Sequence, residues 1–232
     1  MQHNRAAETH TIAGTPCVLD RICVDENGSD PASSIALYRP AVPDDIIDAE
    51  SLLRDAVVPE PPYWALVWIG AQAIARRLLE HPPQSRASVC DLGCGLGLSG
   101  LAAGRSGAHV LFCDLAEQCL PIVEASAVAN GLKSFDVRCI DFTRDTLGTK
   151  FSLITAADVV YDPAAYAPLA DFITLHSAEG GKVLVTESLR ADAKVFLALL
   201  AERGFVGRAE AVWVHEDGRR ERTWLHTLCK GK

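Results

Sequence analysis

The stretch that decides the fold is Val89-Cys90-Asp91-Leu92-Gly93-Cys94-Gly95-Leu96-Gly97, followed by a segment of small residues at 98–103. An apolar run ends in an acidic residue, a turn with three alternate glycines follows, and a segment of helical character comes next. Glycine lets the backbone turn sharply and lets a ligand approach where a Cβ atom would collide. This order is typical of the first strand, turn and helix of a nucleotide-binding α/β domain, the alternative being an ordinary tight turn.

The glycine spacing distinguishes between nucleotides. The dinucleotide pattern G-x-G-x-x-G requires glycine at position 98, where this chain has leucine. Asp91 stands just before the turn, and a carboxylate aimed at the ligand pocket repels a pyrophosphate but attracts a cation. The segment Asp91-x-Gly93-x-Gly95-x-Gly97 therefore resembles motif I of the class I (Rossmann-like, seven-strand) methyltransferases. This resemblance implies S-adenosylmethionine as the cofactor, with its cationic amino-acid end near Asp91.

Two further predicted strands end in acidic residues. Residues 109–114 form a short buried strand ending in Asp114, where an acidic side chain typically binds the ribose hydroxyls of an adenosine. The apolar segment 135–140 is followed by Asp141, which we expect to accept from the adenine amino group, and by Phe142, which would cover the base. Because parallel strands end at the same rim of a sheet, we expect Asp91, Asp114 and Asp141 to lie close together at one ligand site. The alternative is that they are three unrelated carboxylates in solvent-exposed loops.

The rest of the chain alternates between strands and helices, which predicts a doubly wound α/β domain. Asp217-Gly218 favours the positive φ angles of a type I′ hairpin turn, so the last strand is expected to be antiparallel. We predict a seven-strand methyltransferase domain over residues 61–232 and an N-terminal extension over 1–60. The predicted elements are a hairpin within 9–24, a helix at 46–55, a helix ending at Glu80, strands 109–114, 135–140, 151–156 and 181–187, helices 116–130, 163–177 and 190–203, and a hairpin of 205–215 and 221–229.

The segment after the fourth strand of this domain makes the resemblance specific. Asp158-Val159-Val160-Tyr161 matches the D-x-x-Y motif of the methyltransferase family 16 group of protein-lysine methyltransferases. Pro62-Tyr63-Trp64-Ala65-Leu66-Val67-Trp68 is similar to the segment P-Y-W-A-F-x-W of the bacterial electron-transfer-flavoprotein β-subunit lysine methyltransferases. Glu187-Ser188-Leu189-Arg190 is similar to a feature of the larger group. The similarity spans about residues 60 to 230, while Ile69 departs from the proline common in the flavoprotein enzymes.

The resemblance implies a protein-lysine N-methyltransferase. Asp158 is expected to accept a hydrogen bond from the incoming lysine ammonium, and Tyr161 to hold its lone pair in line with the sulfur–methyl bond. Trp68 either flanks the cofactor or packs in the hydrophobic core. Tyr63 and Trp64 either line a substrate channel or anchor the N-terminal extension to the sheet. A small-molecule N-methyltransferase and a non-catalytic cofactor-binding module are the alternatives. The expected cofactor-binding residues are Trp68, Asp91, Gly93, Gly95, Gly97, Asp114, Leu115, Asp141, Phe142 and Ala157.

Composition and net charge restrict the classes of molecule that the protein is expected to bind. The net charge of −8 and the lack of a Lys/Arg cluster argue against nucleic acid and favour a basic, lysine-bearing protein. No apolar run approaches the roughly 20 residues of a membrane span, and the first residues have no hydrophobic signal region. None of the eight cysteines forms a C-x-x-C pair and no histidines have metal-ligand spacing, so we expect free thiols, no metal site and a cytoplasmic protein.

Overall fold

The structure is a computed structural model that describes residues 8–25, 30–41, 62–187, 193–216 and 219–231. Its strands and helices alternate through most of the chain. In chain order they are β1 (Thr9–Ile12), β2 (Thr15–Cys23), β3 (Ser34–Pro40), α1 (Ile69–Glu80), β4 (Ser88–Leu92), α2 (Leu98–Gly104), β5 (His109–Asp114), α3 (Leu120–Ala129), β6 (Phe135–Cys139), β7 (Phe151–Ala156), α4 (Tyr166–His176), β8 (Ser177–Glu187), α5 (Lys194–Glu202), β9 (Phe205–Glu216) and β10 (Arg219–Lys230).

Seven strands form one sheet in the order β6-β5-β4-β7-β8-β10-β9. Strands β4 to β8 pair in parallel, whereas β10 is antiparallel to β8 and β9. Val89 of β4 lies opposite Val110 of β5 and Leu153 of β7, and all three are buried, as expected where both faces of a parallel sheet are covered. The predicted seven-strand sheet with an antiparallel last strand is confirmed. The chain leaves β4 in one direction and returns beside it as β7, and such a switch point is where open α/β sheets bind ligands.

Helices cover both faces of this sheet. Neighbouring residues of β4 point to opposite faces, and both faces are apolar and have to be buried. Val89 belongs to an apolar cluster that includes Ile74 of α1 and Ile122 of α3. Cys90 belongs to a second cluster that includes Leu169 of α4 and Phe196 of α5. Full burial of each large apolar side chain contributes about 1.5–3 kcal/mol, so these two layers fix the helices against the sheet.

The N-terminal segment forms a separate antiparallel sheet, β1-β2-β3, that packs on α3. Its buried Ile35 and Leu37 belong to the same apolar cluster as the α3 residues. The side chain of Asn130 accepts a hydrogen bond from Ala36 N at 3.1 Å and donates one to Ala36 O at 2.6 Å, as a neighbouring strand would. The exposed edge of β3 is thereby satisfied. Strands β1 and β2 correspond to the hairpin expected in 9–24, β3 was not predicted, and the helix expected at 46–55 lies outside the described residues.

Several element boundaries differ from the sequence prediction for local reasons. The helix expected at 116–130 begins as a 3-10 turn, Glu117–Cys119, and the one expected at 163–177 begins as the 3-10 turn Pro163–Ala165. Strand β8 begins before 181, at Ser177, because Gly180 adopts a φ of 69° within an irregularity of the β7–β8 pairing. Strands β9 and β10 pair up to Glu216 opposite Arg219, and the turn expected at 217–218 lies outside the described residues. Among the described helices, none has the length and hydropathy required to cross a bilayer.

Candidate active site

The glycine turn after β4 leaves room that a side chain would fill. Gly93, Gly95 and Gly97 have φ angles of 62°, 52° and 82°, which disfavour other residues. A Cβ atom on Gly93 would lie 2.4 Å from a methyl carbon of Val159, and one on Gly95 would lie 3.2 Å from the carbonyl oxygen of Trp64. The turn therefore requires glycine both for its backbone conformation and for the close approach of these neighbours.

Asp91 lies beneath this turn with 2% of its surface exposed. One carboxylate oxygen accepts a hydrogen bond from Gly100 N at 2.9 Å, and the other accepts one from the Thr155 hydroxyl at 2.7 Å. Burial raises the pKa of Asp91 to about 7, although both hydrogen bonds oppose the shift. The Asp91 side chain is covered and joins β4 to α2 and β7 rather than lining the cavity, so its contact with the cofactor stays a prediction. Its observed contacts position the glycine turn.

Asp114, at the end of β5, does reach the rim. Its two carboxylate oxygens accept hydrogen bonds from Gly95 N at 2.8 Å and from Ala116 N at 2.9 Å. Burial raises the pKa of the carboxyl, while the backbone N–H donors lower it. Each carboxylate oxygen carries a second lone pair, so hydroxyl groups of a ligand can still donate to Asp114.

Asp141 organises the loop after β6. One of its oxygens accepts from the backbone N–H of Thr143 at 2.9 Å and from the Thr143 hydroxyl at 2.5 Å. The other accepts from the Arg144 guanidinium at 2.7 Å. Hydrogen bonds from Thr143, followed by the Arg144 contact, lower the pKa of Asp141. Its side chain therefore fixes the turn that presents Phe142, which lies in the wall of the same cavity.

Asp158, after β7, is held in a strained conformation by two neighbouring elements. Its φ of 54° is unusual for a residue with a side chain, and such strain is characteristic of functional sites. Its carboxylate accepts a hydrogen bond from Gly70 N, in the first turn of α1, at 2.8 Å. Its own N–H donates to the Thr186 hydroxyl at 3.2 Å. The partial positive charge at the start of a helix stabilises a carboxylate in this position.

Three aromatic side chains, Tyr63, Trp68 and Tyr161, form what we call the aromatic cluster. The Trp68 indole N–H donates to Tyr63 O at 2.9 Å, and their ring centroids are 5.9 Å apart. The ring of Tyr63 lies 6.1 Å from that of Tyr161, which is 45% exposed. The D-x-x-Y segment and the aromatic segment before α1 therefore meet, although they are distant in the sequence.

These features surround one cavity of about 770 Å³. This volume is typical of pockets that hold a small-molecule ligand. Of the residues predicted to bind cofactor or acceptor, the cavity wall contains Trp68, Gly93, Gly95, Gly97, Asp114, Leu115, Asp141, Phe142, Ala157, Asp158 and Tyr161, and Asp91 is outside it. Sequence reasoning missed Gly70 and Thr186, which hold Asp158. The signal available in the sequence was the glycine at position 70, at the start of a predicted helix. The structure explains it, because a Cβ atom there would lie 2.4 Å from the Asp158 carboxylate.

Solved structures share this architecture. The N-methyltransferase NodS from Bradyrhizobium japonicum WM9, in complex with S-adenosylhomocysteine, superposes with a TM-score of 0.58 at 15% identity, covering 70% of this chain and 86% of NodS. A TehB-like S-adenosylmethionine-dependent methyltransferase from Corynebacterium glutamicum superposes with a TM-score of 0.55 at 19% identity, covering 69% and 88%. The fold is that of the class I S-adenosylmethionine-dependent methyltransferases.

The sequence profile of the lysine methyltransferase family matches residues 64–203, more than half of the chain, and the chain belongs to this family. The electron transfer flavoprotein beta subunit lysine methyltransferase of Xenopus laevis is 34% identical over 134 residues, covering 56% of this chain and 54% of that protein. The protein of the same name from Mus musculus is 40% identical over 106 residues, covering 44% and 40%. The matched part thus spans about half the length of these curated relatives. The resemblance stated from the sequence is confirmed.

Proposed function

We propose that this protein is an S-adenosylmethionine-dependent methyltransferase whose acceptor is the side-chain amine of a lysine on another protein. The observation that carries the proposal is that Asp158 and the aromatic cluster, which includes Tyr161, line one cavity together with the glycine turn. A carboxylate that shares a cavity with aromatic rings is suited to a group with an aliphatic stem and a cationic end. Membership of the lysine methyltransferase family supports the same acceptor.

The cavity fits the cofactor. Its glycine turn has the space that a close backbone approach requires, because a Cβ atom on Gly93 would collide with Val159. Asp114 would accept hydrogen bonds from the ribose hydroxyls through its remaining lone pairs, and Phe142 would cover the adenine. Asp141 faces the base from the same loop, although Arg144 and Thr143 already engage its carboxylate. When bound, the cofactor supplies an electrophilic methyl group, so the chain's own residues mainly bind and orient.

The acceptor amine has to lose a proton before it can attack, since the unperturbed lysine pKa is about 10.4. The aromatic cluster removes water from the lysine stem, and this desolvation lowers the pKa of the amine. Asp158 accepts a hydrogen bond from the amine and so fixes its direction. The Tyr161 hydroxyl supplies a second contact, which leaves the nitrogen lone pair in line with the methyl group. Alignment of this kind is the main contribution that an enzyme makes to such a transfer.

We further propose that the acceptor resembles the β subunit of electron transfer flavoprotein, the protein named in the designation of the relatives. The net charge of −8 favours a basic acceptor surface and disfavours nucleic acid. All eight cysteines are free thiols, which supports a location in the reducing cytoplasm.

The acceptor class is tested by incubating the purified protein with S-adenosylmethionine labelled in its methyl group and an extract of the source organism. We expect label in one or a few protein bands, and peptide mass spectrometry should locate it on lysine. Label confined to small molecules would replace this proposal with the small-molecule N-methyltransferase. A protein that binds no cofactor by calorimetry would instead be a non-catalytic module.

A further inference from the structure

Two thiols and a carboxylate meet beside the glycine turn. One ligand atom each from Cys94, Asp114 and Cys119 lies within 4.8 Å of the others. Cys94 belongs to the glycine turn, Asp114 ends β5, and Cys119 comes from the 3-10 turn before α3. Cys119 is fully buried, whereas Cys94 and Asp114 lie in the cavity wall. A small ion that enters the cavity can therefore reach the cluster.

The donor set matches one kind of ion. Thiolate sulfur with a carboxylate oxygen is a ligand set for Zn²⁺ and for other thiophilic divalent cations, and tetrahedral coordination with Zn–S bonds of about 2.3 Å separates two sulfurs by roughly 3.8 Å. The three donor atoms lie within 4.8 Å of one another, so a shift of about an ångström or less brings them to the separations of a tetrahedral site. We propose that Cys94, Asp114 and Cys119 bind a thiophilic divalent cation such as Zn²⁺, with water in the fourth position.

A bound cation replaces the protons of its thiol ligands, so two protons leave the protein as the ion binds and the affinity should rise with pH.

An ion in the cluster would oppose binding of the cofactor. Asp114 is the carboxylate that we assign to the ribose, and Cys94 lies in the turn that borders the same cavity. The ion and the cofactor should therefore weaken each other's binding by the same factor, as thermodynamic linkage requires. This consequence depends on the proposed function, whereas binding of the ion does not.

The direct test is a titration of the reduced, metal-free full chain with Cd²⁺. Binding is detected by the ultraviolet charge-transfer absorption of cadmium–thiolate bonds. We expect one equivalent to bind, and Zn²⁺ to displace it. Cys94→Ser and Cys119→Ser should each weaken Cd²⁺ binding by at least about tenfold. Loss of a residue that only hydrogen-bonds to a metal ligand already costs about tenfold in affinity, and these two residues are ligands themselves. Cys229→Ser, which alters a thiol of β10, is the matched control and should bind like the wild type. Equal affinity in all three variants would overturn the proposal.

A second measurement uses only the wild-type chain, so it does not depend on how the variants fold. Iodoacetamide labelling followed by peptide mass spectrometry reports the alkylation rate of each cysteine. Zn²⁺ should slow the labelling of Cys94 and leave that of Cys23 and Cys229 unchanged, and an unchanged rate at Cys94 would contradict the site. S-adenosylhomocysteine should lower the affinity for Cd²⁺. If calorimetry detects no cofactor binding at all, the proposed function fails, while the cadmium titration still decides the ion site.

Discussion

The carboxylate of Asp158 accepts a hydrogen bond from the backbone N–H of Gly70 at 2.8 Å, so the proposed catalytic loop is attached to the first turn of α1. Thr186, at the end of β8, holds the backbone of the same residue. Three elements that are distant in the sequence thus fix one carboxylate. The orientation of Asp158 is built into the fold, and this is what alignment of an acceptor amine requires.

Gly70→Ala should misplace Asp158. The added Cβ atom would lie 2.1 Å from the Thr186 hydroxyl and 2.4 Å from the Asp158 carboxylate, so one or both must move. We expect kcat/KM for methyl transfer to fall by at least about tenfold, because small displacements of aligned groups are costly. Calorimetry should find S-adenosylhomocysteine binding nearly unchanged. Gly231→Ala is the control, since the nearest atom to its Cβ is 3.3 Å away. Equal kinetics in the two variants would mean that this contact does not matter.

Asp158→Asn and Tyr161→Phe test the acceptor contacts directly. Hydrogen bonds to charged groups contribute about 1.5–3 kcal/mol, so the first change should lower kcat/KM by roughly tenfold to a hundredfold. Tyr161→Phe removes a neutral hydroxyl group and should have the smaller effect. Asp171→Asn is the control for loss of a carboxylate, because Asp171 is an exposed residue of α4 paired with Arg203. Unchanged rates for both site variants would remove their assigned roles.

Asp114→Asn should weaken cofactor binding. The amide keeps the shape of the carboxylate, but it loses the negative charge and one acceptor oxygen that we assign to the ribose. We expect the Kd for S-adenosylhomocysteine to rise by at least about tenfold, since a charge-assisted hydrogen bond contributes about 1.5–3 kcal/mol. Asp136→Asn, on β6, is the matched control and should bind normally. Normal binding by Asp114→Asn would contradict the ribose assignment.

Asp91 should make the folded protein less stable as the pH rises. Its folded pKa is about 7, above the ordinary value of 3.8, so between these values the unfolded state releases a proton that the folded state retains. The free energy of unfolding therefore decreases from about pH 4 to about pH 7 through this group, and the contribution is fully present only below the lower value. Asp91→Asn should flatten this part of the profile. Denaturant unfolding from pH 5 to pH 8 tests it, and parallel profiles for the two proteins would contradict it.

The features that could be predicted from the sequence are those that depend on hydrophobic periodicity and on local turns. Buried apolar strands that end in Asp114 or Asp141, and a glycine turn after β4, specify the sheet and its ligand-binding rim. The burial of Asp91 was not predicted, because the direction of one side chain depends on how Gly100 and Thr155 pack around it. Strand β3 was not predicted; its outer edge pairs with the side chain of Asn130, just after α3, rather than with another strand.

Contacts between distant segments were the other source of error. The hydrogen bond between Gly70 and Asp158 joins residues whose separation in the sequence gives no local signal. The proximity of Cys94 and Cys119 likewise has no local signal, because they lack the spacing of a metal-binding motif and meet only in the tertiary fold. The aromatic cluster was anticipated only in part, since the two segments were assigned by resemblance and their meeting depends on the tertiary fold.

The central claim, methyl transfer to a protein lysine at Asp158, is tested most directly with a purified acceptor. The β subunit of electron transfer flavoprotein from the source organism, S-adenosylmethionine and the wild-type chain would be incubated together, with the Asp158→Asn and Asp171→Asn variants in parallel. Peptide mass spectrometry should find added methyl groups on lysine with the wild type and Asp171→Asn, and far fewer with Asp158→Asn. Equal lysine methylation by all three proteins would contradict the role given to Asp158, and no methylated lysine on this subunit or on any protein of the extract would contradict the proposed function.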